Sequence, residues 1–222
     1  MTRTVKALVE RRPLKTPLHI TGHSFDTYDL LYVEVHENGF VGRGEAWGVY
    51  FKGENAASLL RQVNAVTPEI SSGADRLKLL ELLPAGGARN ALDCALWEVE
   101  SKMYQLLPAH MAGFHGTRAL QTMYTISADT PEKMVKTALE FGPARALKLK
   151  LTGSSEDAER VREVSRARPD VSLTVDANQG FTPDSLEALL PTLLKSRVEL
   201  IEQPFPVGRE SDHDDLRCPI PI

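Results

Sequence analysis

Hydrophobic and polar positions follow two different rhythms along this chain. In the first half, residues 4–10 and 30–35 are strand-like, and residues 40–47 return as a partner strand. Asn38-Gly39 sits between the last two, and both central positions of a tight hairpin turn need positive φ. Helical spacing follows over 55–66, in a shorter piece over 77–83, and over 88–104. In the last, Ala91, Leu92, Ala95, Leu96, Val99 and Met103 define one apolar face. The pattern predicts a small antiparallel sheet followed by helices.

From about residue 119 the text alternates strand and helix. Strands are expected over 122–126, 146–151, 171–175 and 198–201, and residues 219–222 look like the start of a fifth. Thr130-Pro131 and Thr182-Pro183 pair an N-cap with proline at the first helical position, and Ser154 or Ser155 is the expected cap of the helix between them. Strands and helices alternating at this length imply right-handed βαβ units on a parallel sheet. A doubly wound sheet and a closed (β/α)8 barrel both satisfy that pattern.

Composition narrows the function more than the fold. The 222 residues are 42% hydrophobic and 25% charged with a formal net charge of −4, which lacks the basic excess of a nucleic-acid binder. Arg11-Arg12 with Lys15 reads as a solvated strand edge. No apolar run approaches the ~20 residues that span a bilayer, and no signal-peptide core opens the chain, so a cytoplasmic protein is expected. Cys94 and Cys218 form no disulfide or zinc pattern, and Cys94 is expected as a small buried residue. The six histidines are read as surface or loop residues, with His19 and His23 in a mobile loop. Gly42-Arg43-Gly44 is read as a turn or bulge feature. No Gly-rich phosphate loop follows any strand, which disfavours a nucleotide-binding domain.

Lys150, Asp176 and Glu202 stand 26 residues apart, twice over, each at or just past the end of a short apolar strand. Equal spacing places them at equivalent points of successive βα units, where barrels and open α/β sheets carry their active sites. In residues 146–151 the leucines share one face and Lys148 and Lys150 share the other. Both faces of a parallel sheet are normally covered, so two lysines there need carboxylates or an anion opposite them. Two carboxylates on adjacent strands attract a cation, and oxygen-only ligation with no histidine nearby suits Mg²⁺ rather than zinc.

Lys148-Leu149-Lys150, Asp176-Ala177-Asn178 and Glu202-Gln203-Pro204 resemble the ordered motifs of the muconate-lactonizing subgroup of the enolase superfamily. Residues 86–97, GGARNALDCALW, resemble the helix joining cap and barrel in that family. The resemblance covers essentially the whole chain and implies an α+β capping domain, residues 1–112. A partial (β/α)8 (TIM-type) barrel of about four to five strands would follow over 113–222. It implies Asp176 and Glu202 as Mg²⁺ ligands and Lys150 as the acid/base with Lys148 beside it. Asn178, Gln203 and Thr125 become supporting or substrate-binding groups, and lid loops carrying His23, Ser24 and Phe51 would close over the substrate. Within the family the text is most similar to dipeptide epimerases, which implies a small-molecule carboxylate substrate and a homo-oligomer.

The chemistry has a physical basis independent of the name. A proton α to a carboxylate is too weakly acidic for an unaided lysine, and a metal on the carboxylate stabilises the enediolate that forms. Lys150 must be neutral to act as a base, a state favoured by the Lys148 cation and a bound metal. The resemblance also implies a third carboxylate ligand, near position ~228 on the 26-residue rhythm, and a second lysine further on. Both lie beyond Ile222, so the expectation is a truncated chain with impaired activity. Two rival functions use the same half-site: cycloisomerisation and an o-succinylbenzoate synthase-type dehydration. A catalytically inactive fragment is the third alternative.

Overall fold

A computed structural model describes residues 3–116, 118–214 and 216–222. The chain divides into two compact units: Met1–Leu14 with Thr27–Arg118, and Lys15–Asp26 with Ala119–Ile222.

A three-stranded sheet runs β1 (Thr4–Ile20), β2 (His23–Glu37) and β3 (Phe40–Ala46), in that order; Lys15–Asp26, the end of β1 and the start of β2, belong to the second unit and the rest of the sheet to the first. β2 and β3 pair antiparallel around Asn38 (φ 51°) and Gly39 (φ 82°), the positive-φ turn that the sequence predicts. Strands β1 and β2 run longer than the pattern suggested, and His23 and Ser24 belong to β2 rather than to an irregular loop. His36 is likewise a strand residue, paired with Glu34 at 2.9 Å.

Three helices follow: α1 (Ala56–Ser71), α2 (Arg76–Leu82) and α3 (Gly87–Tyr104), then a single turn, α4 (Pro108–Met111). Asn55 and Ser58 close a reciprocal cap on α1. That helix continues past Pro68 to bury Ile70, so packing outweighs the lost hydrogen bond. α3 lies against β3, and its Ala91, Leu92, Ala95, Leu96 and Val99 are fully buried. Gly42 and Gly44 are regular ladder residues opposite Val35 and Val33, not a turn or bulge. A methyl group at Gly42 would overlap the Ala95 carbonyl, and one at Gly44 the Ala91 carbonyl. The glycines therefore set how closely helix and strand approach. Cys94 is exposed, contrary to expectation, because it sits on the flank of α3 away from that apolar face.

The second unit contains a four-stranded parallel sheet, β4 (Tyr124–Ile126), β5 (Ala146–Lys150), β6 (Ser172–Asp176) and β7 (Val198–Glu202), in sequential order. Helices α5 (Pro131–Glu140), α6 (Asp157–Ala167) and α7 (Pro183–Lys195) alternate with the strands. An unbroken order with no reversal is that of a partial (β/α)8 barrel rather than a doubly wound sheet. Leu147, Leu149, Leu173, Val175 and Ile201 join Met134, Val161, Val164, Leu186 and Leu193 in one buried core. Thr130 and Thr182 cap α5 and α7 as predicted. Ser154 and Ser155 do not cap α6, whose first turn is instead approached through an αR residue, Glu156. Residues 219–222 form no strand, although the Pro221 carbonyl accepts a hydrogen bond from the Ile201 amide at 2.9 Å. Among the described residues no helix is long and apolar enough to cross a membrane.

Candidate active site

Parallel pairing aligns the second unit's polar residues in two rows. Lys150 is opposite Asp176, and Asp176 opposite Glu202, so the 26-residue spacing becomes one register line at the strands' C-terminal ends. Thr125, Lys148, Thr174 and Leu200 form the row behind it. Residues two apart on a strand share a face, so both rows lie opposite the helix-covered leucines and valines.

Asp176 is the centre of the arrangement. Its side chain is 1% exposed and Oδ2 accepts from Lys150 Nζ at 2.6 Å and lies 2.9 Å from Lys148 Nζ. Oδ1 accepts from the Asn178 amide at 2.9 Å. Lys148 also donates to Glu202 Oε2 at 2.6 Å, so one ammonium bridges the two carboxylates. Burial alone would raise the Asp176 pKa. The hydrogen bonds from Lys150 and Lys148, with the Asn178 amide, outweigh it and hold the carboxyl below its ordinary value. Burial likewise opposes the charge on Lys148, but Glu202 and Asp176 overcome it and raise its pKa.

Backbone strain gathers beside these groups. Asn178 (φ 44°), Gln179 (φ 70°) and Gln203 (φ 43°) all adopt the left-handed region, which costs side-chain-bearing residues energy. Their turns interlock through Gln179 N to Gln203 O at 2.7 Å and Phe181 N to Pro204 O at 2.8 Å. Asn178 Oδ1 is buried and has no hydrogen-bond partner among the described residues, an acceptor held ready in a polar site. Gln203 and Thr125 are exposed. His23 stacks on Phe25, and Ser24 shares a 2.8 Å hydrogen bond with His19. Phe51 lies in a short 3₁₀ turn, Tyr50–Lys52, of the first unit. The structure thus brings together Lys148, Lys150, Asp176, Glu202 and Asn178.

Sequence reasoning passed over the brace behind Lys150. Asp157, 1% exposed, accepts from the Gly153 amide at 2.8 Å and the Thr152 amide at 3.1 Å. Arg160 pairs with Asp157 at 2.7 Å and reaches the Asp129 carbonyl at 2.7 Å, which pins the turn after β5. The available signal was an aspartate four residues beyond Gly153, in a βα turn. His213 is half-buried in a short 3₁₀ turn, its ring packed on Phe205 and its Nδ1 buried.

The donor set suits a hard cation. Asp176 and Glu202 offer carboxylate oxygens already drawn to one positive charge, and Asn178 Oδ1 is an unpartnered oxygen nearby in sequence. Among the described residues no group of three His, Cys, Asp or Glu side chains forms a complete cage. Mg²⁺ takes one or two carboxylates and keeps several waters, so the pair fits a loosely held Mg²⁺.

Residues 2–112 match the family model described as mandelate racemase/muconate lactonizing enzyme, N-terminal domain, and residues 131–222 match enolase C-terminal domain-like. The chain belongs to the mandelate racemase/muconate lactonizing enzyme family of the enolase superfamily. It is 35% identical over 222 residues to the L-Ala-D/L-Glu epimerase of Escherichia coli K12, covering 99% of this chain and 69% of that protein. An enolase family member from Agrobacterium tumefaciens with homology to dipeptide epimerases, solved with sodium and L-Ala-L-Glu, superposes with a TM-score of 0.92. It shares 30% identity over 98% of this chain and 67% of its own. A dipeptide epimerase from Methylococcus capsulatus, solved with Mg and L-Arg-D-Lys, gives a TM-score of 0.88 at 29% identity, covering 97% of this chain and 65% of that one. This chain therefore spans about two-thirds of the length of these relatives and falls in the muconate-lactonizing subgroup close to the dipeptide epimerases.

Proposed function

We propose that this chain carries the metal-binding and first proton-transfer groups of a racemase or epimerase acting on a dipeptide-type carboxylate. The supporting observation is the single register row Lys150–Asp176–Glu202, with Lys148 bridging both carboxylates. In this reading Asp176 and Glu202 hold Mg²⁺, with Asn178 Oδ1 as a further oxygen or a substrate contact. A bound Mg²⁺ would supply positive charge to the substrate carboxylate as its α-proton leaves.

The remaining roles fall to the chain's own side chains. Lys150 takes the α-proton at Nζ, and its hydrogen bond to Asp176 fixes where that nitrogen points. Lys148 adds a positive charge beside it that the Asp176 and Glu202 carboxylates share. Residues 113–222 then act as the catalytic barrel portion and residues 1–112 as the capping domain. One lysine serves one face of the α-carbon.

The test is α-proton exchange in D₂O, with Mg²⁺ and a panel of L,L-dipeptides that includes L-Ala-L-Glu, followed by NMR. Exchange that EDTA and Lys150→Ala both abolish is the expected result. Exchange indifferent to Lys150→Ala, or none at saturating Mg²⁺ and dipeptide, would overturn the assignment.

A further inference from the structure

We propose that Thr21 is a positioning residue for the Lys150–Asp176 pair, an inference that rests on the function proposed above. The ladder between the strands continues one residue past their ends: Leu151 N donates to Asp176 O at 2.9 Å and Ala177 N to Glu202 O at 3.1 Å. Beyond that point the next amides turn away. Gly153 N is taken by the Asp157 carboxylate and Gln179 N by the Gln203 carbonyl. At the end of the ladder the Ala177 carbonyl accepts from the Gly180 amide at 2.9 Å, a bond within its own turn that does not join the two strands. Thr21, from the two-residue turn between β1 and β2, supplies a donor that reaches both strand ends. Its Oγ1 lies 2.6 Å from Ala177 O and 3.2 Å from Leu151 O.

Those two carbonyls belong to the residues directly after Asp176 and Lys150, so a single hydroxyl ties together the backbones that carry the pair. A hydroxyl has one proton, and the distances make Ala177 its principal acceptor. The fit leaves no slack. A methyl group on Gly180 would come within 2.7 Å of Thr21 Oγ1, and one on Gly153 would overlap the Gly180 carbonyl. Thr21 is not on a loose tip either. His19 O accepts from Ala128 N at 3.2 Å, and Pro17 O accepts from Ser127 Oγ at 3.1 Å, which fixes the same hairpin to the turn after β4. Residues 17–21 thus contact the turns that follow three successive strands.

Geometry errors of this kind reach the chemistry. Displacing a reacting group by about 1 Å costs on the order of a hundredfold in rate, and here the Thr21 hydroxyl adds to the Leu151–Asp176 ladder bond in fixing two strand ends. Thr21→Val keeps the side-chain shape and removes the donor, while Thr21→Ser keeps the donor.

The experiment measures two quantities on the full chain: amide hydrogen exchange, residue by residue, and Mg²⁺-dependent α-proton exchange of L-Ala-L-Glu. In Thr21→Val, amide exchange should rise about tenfold at Leu151 and Ala177 and stay unchanged in the cores of α5–α7. The kcat should fall about tenfold with KM within about twofold, because the loss falls on geometry rather than on binding. Thr21→Ser should restore both. Amide exchange at Leu151 and Ala177 unaltered in Thr21→Val would overturn the proposal. So would a rise spread over the whole second unit, or a failure of Thr21→Ser to rescue. Should wild-type protein exchange no substrate proton, the proposed function falls while the amide data still decide the role of Thr21.

Discussion

Replacing Asp176 with asparagine keeps the volume and one acceptor but removes the charge that two lysines share. The carboxylate receives Lys150 at 2.6 Å, Lys148 at 2.9 Å and the Asn178 amide at 2.9 Å, with a side chain 1% exposed. Hydrogen bonds to charged groups contribute about 1.5–3 kcal/mol each, and breaking a buried ion pair from one side costs about 3–5 kcal/mol. Lys148 keeps Glu202 at 2.6 Å, so Lys150 bears most of the loss. The expected cost of Asp176→Asn is therefore near the lower end, about 3 kcal/mol. That is a large part of a total stability of about 5–15 kcal/mol. Urea unfolding at pH 7 should be followed by far-UV circular dichroism, because Trp47 and Trp97 both lie in the first unit. In a Lys150→Met background the same substitution should cost less, since the ammonium left unpaired is gone. A cost under about 1 kcal/mol, or an equal cost in both backgrounds, would refute the argument from a shared buried carboxylate.

The same pair predicts a pH window. Asp176 is held below its ordinary value, so its contribution is complete above the unfolded pKa of about 3.9 and is lost as pH falls through the lower folded value. Lys148 is raised, so its contribution is complete below about 10.4 and is lost as pH rises through the higher folded value. Wild type and Asp176→Asn should thus differ most between about pH 4 and 10 and converge in stronger acid, measured as urea midpoints across pH. Gly44→Ala places a methyl group on the Ala91 carbonyl of α3, a backbone clash that no rotamer relieves, and should destabilise the first unit by about 3 kcal/mol or more; a change under about 1 kcal/mol by Trp fluorescence would show that α3 and β3 are not packed this closely. Cys94 is exposed, yet burial and then Asp93 raise its thiol pKa. Its alkylation rate should climb with pH through a midpoint above the ordinary thiol value of about 8.5, which a pH–rate profile in a Cys218→Ser background would check.

Much of this protein is legible in its residues because local rules and global fold agree. Asn38-Gly39 admits the φ values of its turn, and the Thr-Pro pairs open α5 and α7. A 26-residue rhythm is a periodicity of βα units, so the sequence alone puts Lys150, Asp176 and Glu202 at equivalent strand ends. Contacts between residues far apart in sequence carry no such local signal. The need for Gly42 and Gly44 comes from a helix some 50 residues later, and α1 outruns Pro68 because Ile70 finds a buried site. That one ammonium, Lys148, links two carboxylates depends on strand register as well as on order. Thr21 lies 130 residues from one carbonyl it approaches and 156 from the other. Local propensity and periodicity follow from the chemistry of neighbouring residues, and they determine elements and order. Which distant backbone groups share one proton is set by how closed elements pack, and only the tertiary structure decides it.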